Sequence, residues 1–178
     1  MLRLVALGDQ AALSELITRF GHGMIVLATR YLGQQDEAED VVQDVWLRVW
    51  KTANRFDAQR GKAKTWIYRI TTNLCIDRLR RLRLRQMIGL AQVCIEPVDA
   101  TSNPEKQHQD SEALKRVQAA INKLPDRQRM ALLLTVAGGL DAEQVASTLG
   151  TSRGGAEQLI ARARRKLRNS VYPEDIPK

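Results

Sequence analysis

The chain has little of what catalysis and extracellular stability are usually built from. Its 178 residues include only two histidines and two cysteines. Cys75 and Cys94 stand far apart, with no CxxC and no histidine cluster nearby, so neither a disulfide framework nor a zinc site is indicated. His22 and His108 have no convincing partner, and Gly138-Gly139 lacks the Lys-Ser/Thr that would make it a phosphate-binding loop. These gaps argue against an enzyme and against any metal or cofactor. Aromatic residues are scarce at 4%, so Leu, Ala, Val and Ile must supply the core of a chain that is 44% hydrophobic. No apolar run approaches the ~20 residues needed to span a bilayer, and the stretch Met1 to Leu7 is broken at once by Gly8-Asp9. The chain reads as cytoplasmic, without membrane insertion.

What is present is positive charge. Lys and Arg number 28 against 20 Asp and Glu, a formal charge of +8, which favours a polyanionic partner over a neutral small-molecule substrate. The apolar periodicity is helical throughout. Asp9 is a plausible N-cap for a helix whose Leu13, Leu16, Ile17 and Phe20 share a face, and a second apolar run, Met24 to Ala28, follows Gly21-His22-Gly23. Between Asp36 and Trp50 acidic residues crowd the N-terminal half and Arg48 and Lys51 the other end, as the helix dipole prefers. There Val41, Val45, Val49 and Val42, Trp46, Trp50 make a wide apolar face, part of which is expected to dock a partner. After the break at Phe56 to Lys64, Thr65 is expected to cap a long helix reaching Arg85, which ends in Arg78, Arg80, Arg81, Arg83 and Arg85 with only Asp77 opposing them.

The expected architecture is all-α: two small helical domains joined by a flexible linker. The first covers residues 1–90 and the linker 91–111, where Glu96 to Glu105 is polar, proline-containing and aperiodic. The second covers 112–172, with a tail at 173–178. Within the second, Asp141 to Ile160 fits a helix-turn-helix. Ala146 is small enough for two helices to cross, Gly150 serves the turn, and Ala156, Leu159 and Ile160 anchor the second helix. Ser152 can cap that helix, whose first turns then offer Arg153, Gly155, Glu157 and Gln158 to a major groove, while the arginines from Arg162 onward meet backbone phosphates.

Several blocks in order resemble one family. Asp40 to Trp50, Phe56-Asp57, Arg60-Gly61, Thr65 to Ile70 and Asn73 to Arg80 resemble region two of the extracytoplasmic-function sigma factors. Leu124 to Arg129, Glu143 to Ala146, Leu149-Gly150 and Ala161 to Leu167 resemble region four. The resemblance implies binding to core RNA polymerase through Asp40, Val41, Gln43, Asp44, Trp46, Leu47 and Trp50, set against the clamp helices of the beta-prime subunit. It implies capture of the −10 promoter element by Arg60, Lys62, Lys64, Asn73, Asp77, Arg78, Arg80 and Arg81, with Asn73 near a base drawn out of the stack. It implies reading of the −35 element by Ser152, Arg153, Gly155, Glu157, Gln158, Arg162 and Arg165, contact of the second domain with the polymerase beta flap, and an anti-sigma partner.

The chain departs from the family pattern at Ala63, where an aromatic is frequent, at Glu157, where a basic residue is common, and at Arg153 and Gly155. Two other function classes stand beside this one. A helix-turn-helix regulator that does not initiate transcription would need a ligand pocket in its first domain. An enzyme acting on nucleic acid lacks its signals.

Overall fold

The computed structural model describes residues 1–59, 61–88 and 114–171. Among these the chain is helical: α1 (Leu2–Ala6), α2 (Gln10–Leu32), α3 (Gln35–Thr52), a short 3-10 turn (Ala53–Arg55) and α4 (Ala63–Met87) form the first group. The second is α5, described over 114–122, with α6 (Asp126–Val136), α7 (Ala142–Leu149) and α8 (Arg153–Val171). The all-α, two-domain expectation holds. The linker at 91–111, the tail at 173–178, Arg60, Cys94 and His108 lie outside the described residues.

Local chemistry explains both ends of α2. Asp9 caps α2 as expected, its side chain accepting from the Ala12 amide at 3.0 Å. Gly33, at φ 78°, ends the helix by donating its amide to Thr29. The two apolar runs either side of Gly21-His22-Gly23 turn out to lie on one unbroken 23-residue helix. A helical glycine costs about 1 kcal/mol against alanine, and at Gly23 close packing offsets it. A Cβ there would stand 2.7 Å from the carbonyl oxygen of Ala137 and would also crowd the Tyr68 hydroxyl. The expected start of α4 is corrected: the helix begins at Ala63 with Lys62 at its N-cap position, and Thr65 is buried inside the first turn rather than capping it.

Helices α2, α3 and α4 bury one another around Met24, Leu27, Ala38, Val45, Val49, Ile67 and Cys75, all 0% exposed. That core continues into α6 and α7 through Met130, Leu134, Leu140 and Val145. A smaller cluster of Leu124, Leu132 and Ala163, with Leu167 against it, ties α8 to α6.

Candidate nucleic-acid interface

The helix-turn-helix forms as its residues require. Asp141 and Gln144 make a reciprocal capping box at the start of α7: the Gln144 amide donates to Asp141 at 2.8 Å, and the Asp141 amide donates to the Gln144 side chain at 3.1 Å. Gly150 sits at φ 61°, and the Thr151 amide closes the turn on Ala146 at 3.0 Å. Ala146 and Ala156 are buried where α7 crosses α8. Ser152 caps α8 by accepting the Gly155 amide at 3.1 Å. A side chain on Gly155 would strike the Thr151 hydroxyl, so the small residue belongs to the cap's geometry.

The front of α8 is open. Ser152, Arg153, Glu157, Gln158, Arg162 and Arg165 are exposed, and Gly155 is half-buried. Arg153 and Glu157 are one turn apart and paired, the guanidinium Nε donating to Glu157 Oε1 at 3.0 Å. That pairing raises the affinity of Arg153 for its proton and screens a carboxylate that polyanionic DNA would otherwise repel.

The expected docking face on α3 is corrected. Val41, Val42, Val45 and Val49 are all buried in the core, and Trp46 and Trp50 pack half-buried against it. The apolar ladder therefore serves the fold, and Val41, 2% exposed, cannot meet a partner. What remains outside is a narrower stripe of Asp40, Gln43, Asp44 and Leu47. Spacings of three and four align these residues along one side of the helix, and Leu47, 56% exposed, is its one large apolar residue.

On α4 the basic residues have different fates. Arg78 lies between α3 and α4, its NH1 2.9 Å from Glu37 and its NH2 3.4 Å from Asp40. The Glu37 contact is an ion pair without the alignment of a hydrogen bond, leaving that carboxylate oxygen without a hydrogen-bond partner. Arg78 thus joins two helices while keeping part of its side chain exposed. Arg80 faces Asp77 loosely at 3.8 Å, and Arg81, Lys62 and Asn73 are exposed. Lys64 donates to the carbonyl of Gly139 at 2.7 Å, across to the α6–α7 loop.

Asn73 and Arg80 border a cleft of about 420 Å³, whose other wall includes Asp126, Arg127, Thr148 and Leu149 from α6 and α7. At its edge Asp126 takes both guanidinium nitrogens of Arg83, at 2.7 and 2.9 Å. That bidentate bond, followed by the charges of Arg83 and Arg129, holds the Asp126 carboxyl below its ordinary range. Sequence patterning missed this junction. The pairing of Arg83 with Asp126 spans 43 positions, and the one local signal was a glycine, Gly23, placed in mid-helix.

Among the described residues no group of His, Cys, Asp and Glu is placed to hold a metal, and no helix is long and apolar enough to cross a membrane. Residues 16–85 match the sequence family described as Sigma-70 region 2, and residues 114–167 match Sigma-70 region 4. The sigma factor SigE of Mycolicibacterium smegmatis is 35% identical over 92% of this chain, which spans 64% of that longer protein. The sigma-E factor of Escherichia coli is 31% identical over 93% of this chain and 90% of its own length. A solved structure of CnrH in complex with the cytosolic domain of CnrY superposes with a TM-score of 0.73 at 25% identity, covering 98% of this chain and 96% of that one. Two matched regions in the order the helices appear, and a relative alike along nearly its whole length, place this chain in the extracytoplasmic-function family of RNA polymerase sigma factors.

Proposed function

We propose that the chain brings core RNA polymerase to promoters and starts transcription there, acting in the cytoplasm as a binding factor and not as an enzyme. The observation that carries this is the division of exposed surface: an acidic stripe with Leu47 on α3, a basic α4 against it, and a helix-turn-helix whose α8 presents an open front and an arginine-rich rear. In this reading the α3 stripe docks on the beta-prime clamp helices. Lys62, Lys64, Asn73, Arg80 and Arg81 take the −10 strand, α8 reads the −35 element, and the second domain also contacts the beta flap. An anti-sigma partner belongs to the same reading, supported by CnrH, alike over 96% of its length and solved in complex with the cytosolic domain of CnrY.

Run-off transcription with purified core polymerase on genomic fragments tests the reading. Discrete start sites that depend on the protein support it, and DNA binding without initiation replaces it with a regulator. In the same assay Asn73→Ala is expected to reduce open complexes about fivefold, the loss of one hydrogen bond of about 1 kcal/mol, with polymerase affinity unchanged. Normal opening by that variant would remove Asn73 from −10 recognition.

Glu157 and Gln158 carry the base preference of α8. A carboxylate accepts from cytosine N4, whereas a glutamine pairs bidentately with adenine. Glu157→Gln is expected to weaken a cytosine preference at one −35 position by about tenfold, at 1–3 kcal/mol per good contact. Binding selection on randomised duplexes reads this directly, and unaltered preferences at every position would leave Glu157 a bystander.

A further inference from the structure

The exposed front of α8 carries an arginine already joined to a carboxylate. Arg153 and Glu157 are both exposed and stand four residues apart, so they share one side of the helix. The guanidinium Nε donates to Glu157 Oε1 at 3.0 Å. The carboxylates of Glu143 and Asp141, at the start of α7, add their field to that of Glu157 around Arg153. A cation so surrounded has less to offer a phosphate than the arginines farther along α8, because the acids that attract it repel the DNA backbone. Its remaining use in a groove is to read a base. Gly154, beside Arg153, is exposed, and a Cβ there would meet nothing within 4 Å. Unlike Gly155, it is not required by packing. Glycine weakens a helix, and one that the chain's own packing does not require suits a backbone that comes close to a ligand.

Resting on the −35 role proposed above for α8, we infer that Arg153 reads a guanine in the major groove, and that Glu157 is its positioning residue while accepting from a cytosine on a neighbouring base pair. Arginine has five N–H donors in a rigid fork. With Nε given to Glu157, the four on the two terminal nitrogens remain, and they match the O6 and N7 acceptors that guanine presents side by side in the major groove. A free arginine must order several rotatable bonds when it binds, and a partner that already holds Nε lowers that cost. The lone pairs of a carboxylate exceed what one guanidinium uses, so Glu157 can accept from cytosine N4 at the same time. Four helical residues advance about 6 Å against about 3.4 Å per base pair, which puts the two bases on adjacent pairs or one pair apart. Both positions depart from the family pattern, so this two-base step belongs to the chain's own promoters.

Sequencing of duplexes selected from a randomised library by the purified full chain tests this, with circular dichroism as the folding control. The wild-type chain is expected to prefer guanine about tenfold at one position, with cytosine preferred within about two base pairs of it. Arg153→Lys keeps the charge and loses the fork, so the guanine preference should shrink to about twofold or less. Glu157→Ala is expected to reduce that same preference at least about threefold although it removes no guanine contact. Glu157→Gln, whose side-chain carbonyl still accepts from Nε, should retain the guanine preference and lose the cytosine one. A wild-type chain that selects no such guanine overturns the inference, as does a guanine preference that survives Arg153→Lys or Glu157→Ala. A preference lost equally in Glu157→Gln and Glu157→Ala overturns it too, because charge alone would then account for Glu157. Failure to initiate transcription, with the base preferences behaving as stated, would instead overturn the proposed function and leave the reading of guanine by Arg153 standing.

Discussion

Replacing Leu47 by arginine is expected to weaken binding to core RNA polymerase by at least about 30-fold, the scale of a 2 kcal/mol hot spot, with the fold left intact. The two faces of α3 separate these effects. Its inner face, Val41, Val42, Val45 and Val49, is buried against α2 and α4, so substitutions there act first on stability, with truncation of a buried Val losing its transfer energy and leaving a cavity. Leu47 is 56% exposed and flanked by Gln43 and Asp44. Exposed positions away from caps and networks change stability by about 0.5 kcal/mol or less. An apolar side chain ringed by polar groups is the arrangement in which a small contact contributes most of an interface's energy, because the rim excludes water from its centre. Arginine in its place puts a cation where the partner expects an apolar anchor beside carboxylates. Equilibrium binding of labelled polymerase, with circular dichroism as the folding control, measures both quantities. Unchanged affinity would take the docking surface away from this side of α3.

How much of this was legible before the structure depended on the range of each interaction. Asp9, Gly150 and Ser152 act within three or four residues of themselves, so cap and turn chemistry announces them. The α3 stripe was named through the family resemblance, together with residues that turn out buried, whereas periodicity alone gave the helix and not its outer face. Two ladders of valine and tryptophan border one another, and which of them is buried depends on where α2 and α4 arrive. The periodicity pointed to Val41 and Trp46 as docking residues, and packing gave Val41 to the core and left Leu47 outside. The partners of Arg78 were hidden for the same reason. Counting charge along the end of α4 makes it one of five arginines from Arg78 to Arg85, whereas its position opposite Glu37 and Asp40 makes it a clasp. The junction around Gly23, Arg83 and Asp126 pairs groups from separate halves, and no local pattern encodes such a meeting.

Cys75 is expected to be inert in the folded chain and ordinary in the unfolded one. Its side chain is fully buried in the core shared by α2, α3 and α4, and burial pushes its pKa from 9.0 up to about 12. Only the thiolate attacks a disulfide reagent. At pH 8 the thiolate fraction then falls about a thousandfold, at one tenfold step per pH unit, before exclusion of the reagent is considered. Labelling of a Cys94→Ser chain at pH 8 should be at least about a thousand times slower in buffer than in urea, and rapid labelling in buffer would contradict the burial. The same shift shapes stability at high pH. Because the folded pKa is the higher one, Cys75 stabilises fully below about pH 9, where both states hold the proton. Above that the unfolded chain releases its proton first, and the contribution is lost as pH rises toward 12. Tyr68, also raised by burial to about 12, adds to the loss from about pH 10 upward. The urea midpoint should therefore fall steeply on the alkaline side, with a shallower slope in Cys75→Ala. A thiol held this way is unsuited to sensing oxidants, so if this sigma factor responds to a redox signal, Cys75 is not where the signal enters.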